Sequence, residues 1–345
     1  MDNQELNTHF IKVIGHRNPD TDSVCSAIAY SRLKNTLDPE HPCKPCRAGL
    51  LNRETEFVLN YFQVPDPQLY TDVSPQIRDV DIRRMEGVDG EMSLRRAWIT
   101  MRDQQIDTLC VVDKERNLKG LITVKDVATA NMDVLDTYIL AESETSYQNI
   151  VDILDAKVLV GDITGKKVEG RIVIGSGSAE QMERSISKGD IVIVANRSES
   201  QLTAIEMGAG CVVVCAGCKV SRTICMLAEE QGCMIISTPN STYVSGQMIS
   251  QAAPIRHYMV RDDLLTFNLN SSVESATKVM ASVRFRYFPV LDDDGHYIGV
   301  VSRRNMMNLH KKQLILVDHN EKGQAVEGID QAEILEIIDH HRIGS

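Results

Sequence analysis

Apolar positions in this chain fall into short runs that stop abruptly at clusters of Asp, His and Gly. The first run, Phe10-Ile11-Lys12-Val13-Ile14, ends at Gly15-His16-Arg17-Asn18-Pro19-Asp20-Thr21-Asp22-Ser23 and gives way to a helix-like run at residues 24–33. The pattern predicts a strand that stops at Gly15, a polar loop, and a helix opening near Asp22 or Ser23, both good N-caps. A strand around residues 44–48 and a helix from the cap-like Asn52 through Phe62 follow, until Val64-Pro65-Asp66-Pro67 breaks the pattern. Near the other end, residues 314–317 run into Asp318-His319-Asn320, and residues 334–338 run into Asp339-His340-His341. Alternating strands and helices predict an α/β fold, in which ligands gather beyond the carboxyl ends of the strands.

The middle of the chain reads differently. At one constant offset Pro75 falls on Pro254, Ser93 on Ser272, Ala97 on Ala276, Met101 on Met280, Asp113 on Asp292, Gly120 on Gly299 and Asp126 on Asn305, with no gap. Two copies of one small module are therefore expected, each a helix, a strand pair, and a final helix. Between them, β-branched runs at residues 171–174, 190–194, 211–214 and 234–237 alternate with helical runs, which predicts a compact α/β domain.

Composition narrows the chemistry. Over 345 residues, 25% are charged and the net charge is −11, so a nucleic-acid platform is not expected. The start, Met1 to Glu5, is polar, and no apolar run approaches the ~18 residues of a membrane span. Neither secretion nor membrane insertion is expected, and nine cysteines then read as free thiols of the cytoplasm. Cys43-Lys44-Pro45-Cys46 has zinc or redox spacing but lacks a second pair. Cys211, Cys215 and Cys218 match an iron–sulfur spacing, yet 211–215 reads as one buried strand. The sharper signal is His16, Asp20 and Asp22: one imidazole and two carboxylates on a loop stiffened by Pro19. They suit a divalent cation with mixed N and O ligands, Mn²⁺ or Co²⁺ more than Ca²⁺. The plainer alternative is that the two aspartates only cap the helix. Asp318, Asp339, His340 and His341 at two further strand ends weigh against capping alone.

The repeated module resembles the cystathionine-β-synthase (CBS) domain, a sensor of adenine nucleotides. That resemblance implies ribose or phosphate contacts from Thr123 with Asp126 and from Ser302 with Asn305. In the second copy Arg284 and Arg286 supply cations, and Phe285, Tyr287 or Phe288 an aromatic face for a base. The intervening domain resembles the DRTGG domain, with the naming motif degraded to Asp162-Ile163-Thr164-Gly165-Lys166. The outer pieces resemble the DHH phosphoesterase superfamily, and within it the manganese-dependent family II inorganic pyrophosphatases of the CBS-containing subtype. The implied fold is an α/β, parallel-sheet DHH-type domain, incomplete here, interrupted by a CBS–DRTGG–CBS insert. The implied division is 1–66 and 313–345 for the two DHH pieces, 67–133 and 253–312 for the CBS copies, and 134–252 for the DRTGG-like domain.

The same resemblance implies two Mn²⁺ per site, with Co²⁺ or Mg²⁺ as substitutes. His16 and Asp20 would hold one, Asp22 and His340 the other, and Asp318 would bridge them. His341 would contact phosphate or assist the leaving group, and Asp339 would orient its neighbours. The expected reaction is hydrolysis of pyrophosphate under the control of AMP, ADP or diadenosine polyphosphates, in a homodimer without nucleic-acid or membrane partners. In the family the rest of the DHH domain supplies a further carboxylate ligand to the second metal, and a C-terminal DHHA2 domain then supplies a Lys/Arg clamp, both beyond the point where this chain stops. The resemblance therefore implies weak hydrolysis by these residues alone. Two rival readings stay open: a truncated, non-hydrolysing nucleotide-binding regulator, and another DHH-type phosphoesterase.

Overall fold

A computed structural model describes residues 10–132, 136–307 and 309–342. The polar start at Met1 to Glu5, the expected boundary at 133/134, Asn308 and the end at Ser345 lie outside them. The chain forms two compact units, one of residues 1–85 with 265–345 and the other of residues 86–264.

The first unit holds a five-stranded parallel sheet built from both ends of the chain. Its elements are β1 (Ile11–Ile14), α1 (Thr21–Leu37), β2 (Cys43–Arg47), α2 (Arg53–Tyr61), β3 (Gln68–Leu69), β4 (Gln313–Val317) and β5 (Glu333–Ile338). Strand order is β5-β4-β1-β2-β3. Period-two alternation gives the sheet two packed faces. Ile11, Val13, Ala27, Cys43, Ile315 and Val317 pack on one side with α1, and Ile14, Cys46, Leu314, Leu316, Val326 and Ile329 on the other. Cys43 and Cys46 therefore lie on opposite faces, which disposes of the zinc-like spacing. Both are buried free thiols, and burial pushes Cys46 up to about 12. The register sets Ile14 beside Leu316 and Val317 beside Ile338, so three strands end together at one edge of the sheet.

The helix after β1 begins at Thr21, one residue before the earlier of the two expected starts. Asp20 is its N-cap, its Oδ1 accepting from the Ser23 N–H at 3.0 Å. At the outer edge β5 leaves Ile334, Leu335, Ile337 and Ile338 between 40% and 48% exposed, as expected of a strand paired on one side only.

The same unit carries the second repeat. Its strands Phe267–Asn268, Tyr287–Leu291 and Tyr297–Ser302 form a three-stranded sheet beneath the helix Val273–Ser282. Its expected final helix is only a 3₁₀ turn, Asn305–Met307. The Asn305 side chain, tied to Ser302 and to the Asp81 carbonyl, holds that turn.

In the second unit, the first repeat supplies helix Leu94–Asp103, the strand pair Thr108–Val112 and Leu118–Thr123, and a full final helix, Val124–Met132. The other domain of this unit is a five-stranded sheet whose order is Lys157–Val160, Met234–Ser237, Cys211–Val214, Ile191–Val194, Ile172–Ile174. Four strands run parallel and the first is antiparallel to its neighbour. Cys211 and Cys215 are fully buried there, and burial raises both thiols, as core residues rather than cluster ligands.

Candidate metal centre

Because β1, β4 and β5 end side by side, their terminal polar residues converge on one cleft of about 570 Å³. It is lined by His16, Asp20, Asp22, Asp318, Asp339, His340 and His341, with Arg17 and Arg342 as its cations. Asp318 is the pivot, its side chain only 4% exposed. Its Oδ2 lies 3.4 Å from His16 Nε2, and its Oδ1 lies 3.3 Å from His340 Nε2 and 3.7 Å from His341 Nδ1. Asp20 Oδ1 stands 3.8 Å from His16 Nε2, and Asp22 Oδ2 stands 3.4 Å from His340 Nε2. Two ligands each about 2.1 Å from one cation lie roughly 3 Å apart, so these spacings leave room for ions shared between the donors. Donor atoms meet within 4.8 Å in two separate groups, His16 with Asp20 and Asp318, and Asp318 with His340 and His341. Asp318 belongs to both, one oxygen facing each.

Electrostatics fit the same reading. Burial raises the Asp318 carboxyl, and Asp22 and Asp20 raise it further against the smaller opposing pull of His16 and His341. Among the described residues no Lys or Arg pairs with Asp20, Asp22 or Asp318. The charge deficit matches a divalent cation with N and O ligands. The backbone of Asp318 is left-handed, φ 61°, with its N–H on the Ile338 carbonyl at 2.9 Å. A non-glycine residue held there costs about 1 kcal/mol. The turn aims the carboxylate across the strand ends.

Asp339 holds His341. Its Oδ1 accepts from His341 Nδ1 at 2.7 Å, and Asn320 Nδ2 donates to its Oδ2. Burial pushes Asp339 up, but the hydrogen bonds from His341 and Asn320 outweigh it and hold the carboxyl below its ordinary range. The same bond raises His341. His319 shares the motif and takes no part in the cluster. It is 1% exposed, its Nδ1 on the Val317 carbonyl at 2.9 Å and its Nε2 buried without a partner. Burial lowers its basicity.

One contributor is invisible in the sequence. Glu336 on β5 receives the Tyr30 hydroxyl at 2.5 Å and the Lys34 ammonium at 2.6 Å, both from α1. This clamp joins the helix that opens at Asp20 and Asp22 to the strand that ends at His340. Lys34 and Tyr30 hold Glu336 below the ordinary carboxylate range. A depressed folded pKa stabilises above the unfolded value, about 4.3, and that gain is lost as pH falls through the folded value. Glu336→Gln is therefore expected to melt below wild type at pH 7, the gap closing on acidification. Thermal melts across pH check this, and a gap that stays constant contradicts it.

Of the expected nucleotide contacts, both repeats build one turn. Thr123 Oγ1 donates to Asp126 at 2.7 Å, and Ser302 Oγ donates to Asn305 at 2.6 Å. Arg284 and Arg286 flank the exposed Phe285, and the Arg286 guanidinium lies 5.3 Å from the Tyr287 ring. Tyr287 itself is buried, its hydroxyl taken by Arg83 at 3.1 Å. Phe288 is 1% exposed in the core, which removes it as a stacking face.

A CBS-domain model matches residues 77–133 and 255–312, and a DRTGG-domain model matches residues 149–252. This chain carries a DRTGG domain between two CBS domains. The chain is similar to the cobalt-dependent inorganic pyrophosphatase of Clostridium perfringens, 35% identical over 333 residues, 96% of this chain and 60% of that protein. A probable manganese-dependent inorganic pyrophosphatase of Thermotoga maritima is 31% identical over 97% of this chain and 61% of its own length. The chain thus spans about three-fifths of the length of these two relatives. Among solved structures, the CBS and DRTGG domains of the regulatory region of the Clostridium perfringens pyrophosphatase, complexed with the activator diadenosine tetraphosphate, match with TM-score 0.64 and 29% identity. That match covers 66% of this chain and 99% of the other. No helix among the described residues is long and apolar enough to cross a membrane.

Proposed function

We propose that this chain forms the metal-binding and regulatory part of a divalent-metal-dependent inorganic pyrophosphatase of the DHH type, acting in the cytoplasm as a homodimer. The observation that carries the reading is the two-sided placement of Asp318 between His16 and His340. His16 and Asp20 would hold one cation, Asp22 and His340 the second, and Asp318 both. Divalent cations held there would supply Lewis acidity, making a water more acidic and offsetting charge on phosphate oxygens. The protein's own residues do the rest. His341, oriented by Asp339 and made more basic by it, would offer its Nε2 to a phosphate oxygen or the departing phosphate. Arg17 and Arg342 contribute positive charge at the cleft. Pyrophosphate has no apolar surface, so its binding at this cleft would rest on the bound cations and on charges such as Arg17 and Arg342.

The proposed division is the one given by the resemblance, with 1–66 and 313–345 as the catalytic pieces. Adenine nucleotides would act at the CBS domains, through Thr123, Asp126, Ser302, Asn305, Arg284 and Arg286, while Tyr287, buried with its hydroxyl on Arg83, is left to the core. The likeness to a regulatory region solved with diadenosine tetraphosphate supports this. Phosphate release from pyrophosphate, with Mn²⁺ or Co²⁺ and with metal chelated, tests the activity. Metal-dependent release that AMP or diadenosine tetraphosphate alters is expected. Saturable nucleotide binding in calorimetry without any release favours the non-hydrolysing regulator instead.

A further inference from the structure

Away from the strand ends, Lys12 occupies the middle of β1, where the sequence reads as an apolar run. It is 8% exposed, its ammonium 4.3 Å from the Phe10 ring centroid and 5.1 Å from that of Tyr70. No carboxylate of the described residues stands within ion-pair distance of it. A buried charge without a counter-charge is costly, and a position that keeps one needs an account. Lys12 opens into a cleft of about 890 Å³ that also receives Arg78, Lys311 and Lys312. Arg78 Nε is buried there and without a partner.

The cleft's carboxylates are already engaged. Asp72 accepts from the Ser74 N–H at 2.7 Å, and Glu333 from Gln313 at 3.0 Å. Asp79 takes the Gln76 N–H at 2.9 Å and faces Lys312 at 3.3 Å. Arg78 Nη2 is already held by Asn270 Oδ1 and stands 3.9 Å from Asp293, which leaves over the Lys12 ammonium and the single Arg78 Nε–H, both buried and both in residues that line one cavity. A tetrahedral oxyanion satisfies both, since an ammonium serves as a point charge and a guanidinium as a directed donor to phosphate. The volume lies within the range of small-molecule sites.

We infer that this cleft is an anion site for a phosphate group, separate from the metal centre and held by Lys12 and Arg78. The phosphate has two sources, free inorganic phosphate or the phosphate of a nucleotide. Calorimetry with EDTA present, at constant ionic strength, isolates it from any bound cation and from the pyrophosphatase reading. Inorganic phosphate is titrated first, then AMP, into wild type, Lys12→Met and Arg78→Gln. The Met side chain keeps the stem and removes only the charge, so that variant is expected to fold at least as well as wild type. Loss of a charged hydrogen bond of this kind weakens binding about tenfold. A tenfold weaker phosphate isotherm in both variants, with AMP binding unchanged, assigns the site to free phosphate. The same weakening confined to AMP assigns it to a nucleotide phosphate. No saturable binding of either ligand to wild type at millimolar concentration overturns the inference. So does equal binding of both ligands by Lys12→Met and wild type.

Discussion

Asp318→Asn is expected to lose both cations together. Asparagine tolerates the left-handed backbone that Asp318 adopts, so the turn survives and only the charge and one acceptor oxygen are lost. Each Asp318 oxygen faces a different histidine, which leaves neither metal with its full ligand set. Changing an outer hydrogen-bonding partner costs about 10–100-fold in metal affinity, and a shared direct ligand is expected to exceed that for both ions. His340→Ala, by contrast, is expected to weaken one ion and spare the one between His16 and Asp20. Titration with Co²⁺, followed by its visible absorption, separates the cases. If Asp318→Asn binds one ion normally, the shared position is wrong.

Gly15→Ala is expected to be nearly as severe, without touching a ligand. A Cβ at Gly15 would sit 1.8 Å from Ser23 Oγ, 3.0 Å from Ser23 Cβ and 3.2 Å from the Ser23 carbonyl oxygen. Rotating the serine relieves only the first contact, so the first turn of α1 must move away from β1. Overpacking of this kind costs about 1–3 kcal/mol. The turn that moves carries Asp20 and Asp22, so cobalt affinity should fall alongside the melting temperature. Adding Ser23→Gly to Gly15→Ala should restore part of both. A Gly15→Ala protein with unchanged cobalt affinity would show that the close approach does not position the ligands.

The strand ends were legible because an apolar run stopping at Asp or His is a local pattern, and three such runs share one parallel sheet. Local pattern also found both repeats and the alternating domain between them. What stayed hidden depends on pairing across long sequence separations. Glu336 reads as an ordinary polar position on a strand, and its partners Tyr30 and Lys34 lie some three hundred residues earlier. Lys12 reads as an interruption of an apolar run, and only the folded cleft shows that no carboxylate of the described residues stands within ion-pair distance of it. His319 carries the same local signal as His340, yet the Asp318 turn sends it inward to the Val317 carbonyl. Asp20 was readable as a cap or as a ligand. It caps α1 and faces His16 at once, so sequence could not have chosen between them.

Anomalous scattering from crystals of the chain grown with Mn²⁺, measured at the manganese edge, tests the shared carboxylate most directly. Two peaks are expected, one between His16 and Asp20 and one between Asp22 and His340, with Asp318 reaching both. A single peak, or two peaks that do not share Asp318, would contradict that.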